Sequence, residues 1–259
     1  MRMMKKVLGT VTVLALSVSL LAGCGSTAAS PVSSAASTAA ESTTSSVVSE
    51  TTSAAADENV AAAAQLLNDL TGSYQELWPV ILADEYKQTW LDDCTALVGE
   101  ENAEAAFEKL SSMVTSDVYG EDAVEAYANG GGAYFCGFTN SLATLTFDGE
   151  TSTISGTDKD GNVLFSHTYH YIGMEPVHGL YEFESDDADS GEFTYFFLAP
   201  DTSAETYHIE FRYGSDADAL SQYDAGDYAY WVASGISTDC DQTMIDNCIE
   251  LFCTENLAG

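Results

Sequence analysis

Hydrophobic and polar positions follow two different rhythms on either side of a glycine run, Asn129-Gly130-Gly131-Gly132. Before it the spacing is helical. Residues 59–70 read as a short helix closed by Thr71-Gly72. Residues 102–113 place Ala105, Ala106, Leu110 and Met113 on one side, the recurrence of an amphipathic helix. Between them, residues 74–98 carry a looser helical pattern (Leu77, Val80, Ile81, Leu82, Trp90, Leu91, Leu97). It is broken at Pro79, whose ring and missing N–H disrupt a helix interior.

After the glycine run the segments turn short, aromatic and β-branched. Strands are expected over 133–138, 143–147, 151–155, 162–172, 179–184, 192–198 and 206–213, with Asp148-Gly149 and Asp160-Gly161 as hairpin turns. This spacing implies a mainly β antiparallel sandwich or barrel with flanking helices. A final helix over 242–252 takes Asp241 as its N-cap.

The two ends of the chain differ in kind. Residues 1–23 read as an export signal: Arg2, Lys5 and Lys6 form a positive head, and residues 7–21 an apolar run too short for a comfortable membrane span. Leu21-Ala22-Gly23-Cys24 resembles the cleavage site of a bacterial lipoprotein signal. That resemblance makes Cys24 an acylated anchor and places the protein on the extracytoplasmic face of the cell membrane. Residues 24–56 are almost entirely Ser, Thr, Ala and Val, with no aromatic residue, and read as a disordered tether. Residues 57–259 suffice for one domain with a real core.

The charge narrows the choice of partners. The chain holds 7 Lys and Arg against 41 Asp and Glu; the signal takes three of the bases and no acid, leaving a net charge of −37. Such a field repels nucleic acid and gathers cations, without defining any one cation site. Solubility outside the cell explains it equally well.

Five cysteines follow Cys24: Cys94, Cys136, Cys240, Cys248 and Cys253. Disulfides are the default expectation for an exported protein, and an odd count leaves at least one thiol over. No Cys-x-x-Cys spacing occurs, which argues against a thiolate zinc site or a redox dithiol centre. A bridge among the last three would staple the final helix, but spacing assigns no pairing.

Chemistry concentrates in Tyr207-His208-Ile209-Glu210-Phe211-Arg212-Tyr213-Gly214. In a strand, residues two apart share a face, so His208 and Glu210 point one way and Ile209, Phe211 and Tyr213 the other. Imidazole beside carboxylate is half of a zinc site, or a hydrogen-bonded pair within a barrel. Asp158-Lys159-Asp160-Gly161-Asn162 fails as a calcium loop. Its glycine falls fourth rather than sixth and Tyr169 occupies the twelfth position, so a hairpin turn is expected. No Gly-x-Ser-x-Gly elbow occurs and no nucleophile lies at a recognisable spacing from a histidine, so a non-enzymatic role is expected.

Several separated motifs together resemble the ZinT/YodA family. Residues 67–79 (Leu-Asn-Asp-Leu-Thr-Gly-Ser-Tyr-Gln-Glu-Leu-Trp-Pro) are similar to its opening run, and Tyr169-His170-Tyr171-Ile172-Gly173-Met174-Glu175 to its Y-x-Y-x-G-Y-E strand. Tyr195-Phe196-Phe197-Leu198-Ala199-Pro200, followed by His208-Ile209-Glu210 and Gly214-Ser215-Asp216, is similar to D-H-x-I-A-P … H-F-H-I-x-x-G-x-D. The resemblance covers about residues 67–253.

It implies a calycin or lipocalin-like barrel that binds a divalent metal ion, zinc, at the barrel mouth, for a metal-uptake system or as a buffer. Of the family's three ligand positions, the first falls on Phe196, which cannot coordinate, the second on His208 and the third on Glu210. His178, or else His170, is the candidate replacement for the lost imidazole. The competing reading keeps the barrel and drops the metal, leaving a module whose mouth holds a small ligand or partner protein.

Overall fold

The computed structural model describes residues 47–258, with side chains from residue 58; the signal segment, Cys24 and residues 25–46 of the tether lie outside the described residues. Eight strands run in chain order: β1 (Gly72–Glu76), β2 (Thr144–Asp148), β3 (Thr153–Thr157), β4 (Val163–Met174), β5 (Tyr181–Ser185), β6 (Tyr195–Leu198), β7 (Ile209–Gly214) and β8 (Ala233–Ser237). Each pairs antiparallel with the next, and β8 returns to β1 to close a barrel. This is the calycin or lipocalin-like architecture the sequence implies. Closure removes the unpaired edges that an open sheet would expose.

Four longer helices pack around the barrel: α1 (Val47–Asp69), α3 (Lys87–Val98), α4 (Glu100–Ser112) and α8 (Gln242–Leu257). Four short ones complete the set: α2 (Leu77–Ile81), α5 (Glu121–Ala128), α6 (Ser203–Thr206) and α7 (Ala217–Leu220). Among the described residues no helix is long and apolar enough to cross a membrane.

Strand alternation builds the first core. Phe147, Phe165, Phe183, Phe196, Phe211 and Tyr213 are all at most 4% exposed and fill the lumen, where Phe196 lies directly across from Tyr213 and Phe183. Burying each such ring contributes roughly 1.5–3 kcal/mol. Leu66 and Leu67 of α1, and Leu70 just after it, join this core. The helix can come that close because Gly149, in the β2–β3 turn, has no side chain: a Cβ there would sit 2.4 Å from the Asn68 backbone. The second core lies between the helices and the outer wall. Trp78, Trp90, Leu110 and Ile249 pack with Ile236 of β8, and the Trp90 indole donates to the Ile81 carbonyl at 2.7 Å.

Departures from expectation have local causes. Residues 133–138 form no strand; Phe135 makes only isolated bridges to Thr115 and Trp231. Strands β1 and β8 (Gly-Ser-Tyr-Gln-Glu and Ala-Ser-Gly-Ile-Ser) carry too few β-branched or aromatic residues to announce themselves. Pro79 does not break a long helix. It is the third residue of α2, where its absent N–H would have had no intrahelical acceptor anyway. Helix α1 begins inside the expected tether, continuous with an Ala-rich run that favours helix.

The Asp158 turn is the expected hairpin. Its carboxylate accepts from the backbone N–H groups of Asp160 and Asn162 and from Asn162 Nδ2, each at 2.9 Å. These bonds hold its pKa below the ordinary carboxylate value.

Candidate functional site

Strand β7 sorts its side chains as alternation demands. Ile209, Phe211 and Tyr213 enter the lumen core, while Glu210 pairs with Ser234 and Arg212 with Phe197 on the opposite, outer face. His208 precedes the strand and points the same way as Glu210, with Nε2 at 3.8 Å from Glu210 Oε1. The expected juxtaposition is therefore present. Its location differs from the expected barrel mouth: the pair stands on the outside of the wall, beneath α8.

The approach to His208 is set by a tight turn. Thr202 begins α6 through a capping box with Glu205, and Tyr207 ends it in the left-handed region at φ 66°. That reversal aims the His208 ring back along its own chain, so Nδ1 donates to the Thr206 carbonyl at 2.7 Å. Thr206 Oγ1 donates in turn to the His208 carbonyl at 2.9 Å. Bound on this side, the ring presents Nε2 to Glu210.

Electrostatics in this corner are negative. Burial pushes the His208 pKa down, but contact with Cys248 and Glu210 outweighs it and holds the imidazole well above its ordinary value. Asp201 and Glu255 both have raised pKa values, first through burial and then through neighbouring acids, Glu210 among them; His208 acts in the opposite sense on each. The Cys136 thiol is also pushed up, by burial and by Glu210. A cation held at Glu210 would relieve repulsion felt by several groups at once.

Cys248 of α8, Asp201 and Glu255 were not legible as neighbours of His208 from the motifs alone. For Cys248 a signal exists: Ile245, Cys248, Ile249 and Cys253 recur at helical spacing and are the buried residues of α8. Cys248 Sγ lies 3.8 Å from His208 Nδ1, a cysteine–histidine contact that sequence spacing did not reveal. It is not arranged for nucleophilic attack. Nδ1 is committed to the Thr206 carbonyl, and Cys248 is 2% exposed, so neither a free base nor access for substrate is provided.

The remaining candidates lie elsewhere. His178 does not join His208 and Glu210, because among the described residues no three His, Cys, Asp or Glu side chains could hold a metal ion together. Its ring lies tilted against Tyr223, 3.9 Å between ring centres, with Nδ1 at 3.7 Å from the buried Glu175 carboxylate. Tyr223 in turn lies under the buried Arg212 guanidinium, 4.2 Å from its ring centre. Arg212 donates to the carbonyls of Leu220, Gln222 and Tyr228, fastening the segment after β7 to the wall.

His167 and His170 bond to Asp187 and Asp186, each at 2.7 Å. Phe196 faces the lumen, so the three positions matched to the family's ligands occupy opposite sides of the β6–β7 pair. A histidine substituted at 196 would not face His208.

The barrel core is packed largely with aromatic and aliphatic side chains. A cleft of about 330 Å³ is lined by Glu76, Trp78, Thr115, Asp117, Phe135 and Cys136 among others.

No family model matches the chain, and no curated protein matches it. Among solved structures it is similar to the Zn(II)-bound ZinT-like domain of Streptococcus pneumoniae AdcA, at 14% identity and a TM-score of 0.45, covering 71% of this chain and 89% of that domain. It is also similar to Zn(II)-bound AdcA from Streptococcus pneumoniae, at 14% identity and a TM-score of 0.43; the match covers 70% of this chain and 34% of AdcA.

Proposed function

We propose that this chain is an extracytoplasmic lipoprotein, anchored through Cys24, whose barrel domain binds a divalent metal ion, zinc, at His208 and Glu210, to buffer it or pass it to an uptake system. The observation that carries this reading is the orientation of His208. Its Nδ1 donates to a backbone carbonyl, the arrangement that fixes the tautomer of metal-ligating histidines and leaves Nε2 to coordinate.

The donor set passes a distance test narrowly. Two donors on a tetrahedral zinc, each about 2.0–2.1 Å from the metal, are about 3.3 Å apart. The observed 3.8 Å requires a half-ångström adjustment of one carboxylate rotamer. Two protein donors make an open site completed by water, and hence a weaker one than a three-histidine centre. Zinc must also displace the proton that this corner favours on His208, so binding strengthens as pH rises.

The test is a calorimetric zinc titration, at physiological salt, of the chain lacking residues 1–23 and carrying Cys24→Ser. The expected result is one saturable site that His208→Ala removes. Weak, salt-sensitive uptake spread over the acidic surface, unchanged by His208→Ala, would overturn the proposal.

A further inference from the structure

The helix-covered core holds two thiols in contact. Cys94 of α3 and Cys253 of α8 are each 0% exposed, and their Sγ atoms lie 3.9 Å apart. We propose that Cys94 and Cys253 form a disulfide in the mature protein, a covalent staple between α3 and α8. A disulfide needs about 2.05 Å between sulfurs, so less than 2 Å of approach closes the bond, within reach of small side-chain rotations across two packed helices.

The other three cysteines fit a reduced state. Cys136 is bonded to no cysteine among the described residues, and burial pushes its thiol up. Cys248 Sγ lies against His208 Nδ1, and Cys240, in the loop before α8, is only partly buried and has its thiol pushed up by burial and by neighbouring groups that include Cys248. One bridge and three thiols account for the odd count.

The bond has to form before or during packing. Burial raises the pKa of both Cys94 and Cys253, which suppresses the thiolate that attacks a disulfide. In the open chain, one thiolate attacks an external low-molecular-weight disulfide, forming a mixed disulfide and expelling one thiolate. The second cysteine, deprotonated, then attacks the mixed disulfide and expels the other. Two protein thiols are oxidised, the external disulfide is reduced to two thiols, and the two protons lost by the protein balance the thiolates released. Helix packing then seals the product.

The bridge closes a loop of about 160 residues, so its effect on the unfolded chain is near the upper end for a single cross-link. It also fixes α8, the helix that carries Cys248 to His208. The proposal stands independently of metal binding.

The test is to reduce and unfold the chain carrying Cys24→Ser and refold it in glutathione with glutathione disulfide. Alkylation of free thiols in denaturant and peptide mapping without reduction then follow. The expected product links the peptides containing Cys94 and Cys253, with Cys136, Cys240 and Cys248 alkylated. The bridged form should melt about 10 °C above the reduced form. Alkylation of both Cys94 and Cys253 when the refolded protein is trapped in denaturant, or a bond from either to another cysteine, would overturn it.

Discussion

The barrel lumen and the helix-covered outer wall both bury an apolar core, yet they hold different chemistry. The lumen core is built almost wholly from Phe, Tyr, Leu and Ile and contains no cysteine. The core between helices and wall contains Cys94, Cys136, Cys248 and Cys253, with Cys240 packed against it, and His208 and Glu210 stand at its edge. A small barrel filled by aromatic rings acts as a scaffold, and groups capable of coordination or cross-linking are presented on its outside. Strand β7 separates the two regions residue by residue, so a shift of one position would exchange their chemistry.

Substitutions on the two sides of the wall should have different consequences. The largest effect belongs to the lumen: Phe196→Ala should cost about 3–5 kcal/mol in urea unfolding, since the ring leaves a void among Phe183, Phe211 and Tyr213. Phe196→His should also destabilise the fold and leave zinc affinity unchanged, because residue 196 faces away from His208. An affinity gain in that variant would refute the assignment of faces.

On the outer wall, zinc at a hundred times its Kd should stabilise the protein by about 2.7 kcal/mol, and His208→Ala should abolish the gain in a thermal melt.

The pH dependence follows from the sign of the shift. The folded-state pKa of His208 is raised, so its contribution to stability is complete below the unfolded value of about 6.5 and is lost as pH rises through the folded value. The stability difference between wild type and His208→Gln, without metal, should therefore shrink with rising pH across that window. Zinc affinity should change in the opposite direction, by about tenfold per pH unit while one proton is displaced per ion.

The smallest effect is at the start of α8, where Asp241 accepts from the Met244 N–H at 2.9 Å. Asp241→Ala should cost about 1 kcal/mol by urea titration.

Much of this division was legible before the coordinates. Period-two alternation in 206–213 separated His208 and Glu210 from Ile209, Phe211 and Tyr213, and the turns at Asp148 and Asp160 fixed the hairpins around β3. The strands of low β-propensity, β1 and β8, were not legible, because their place is decided by pairing with neighbours across the closing seam.

The site was legible only as a pair. Alternation says which residues share a face, but not whether that face is lumen or exterior. That depends on which side α8 covers, a contact 40 residues away in sequence. The resemblance placed Phe196 with His208 and Glu210, and strand pairing separates them. His178 sits on a loop whose position depends on the Tyr223 and Arg212 stack, which no local pattern encodes.

The most direct test of the account is zinc-edge X-ray absorption on the chain loaded with one equivalent of zinc. Zinc held by His208 and Glu210 should give imidazole scattering with nitrogen and oxygen ligands at about 2.0–2.2 Å, lost in His208→Ala. An oxygen-only shell, a sulfur shell near 2.3 Å, or a spectrum indifferent to His208→Ala would contradict it.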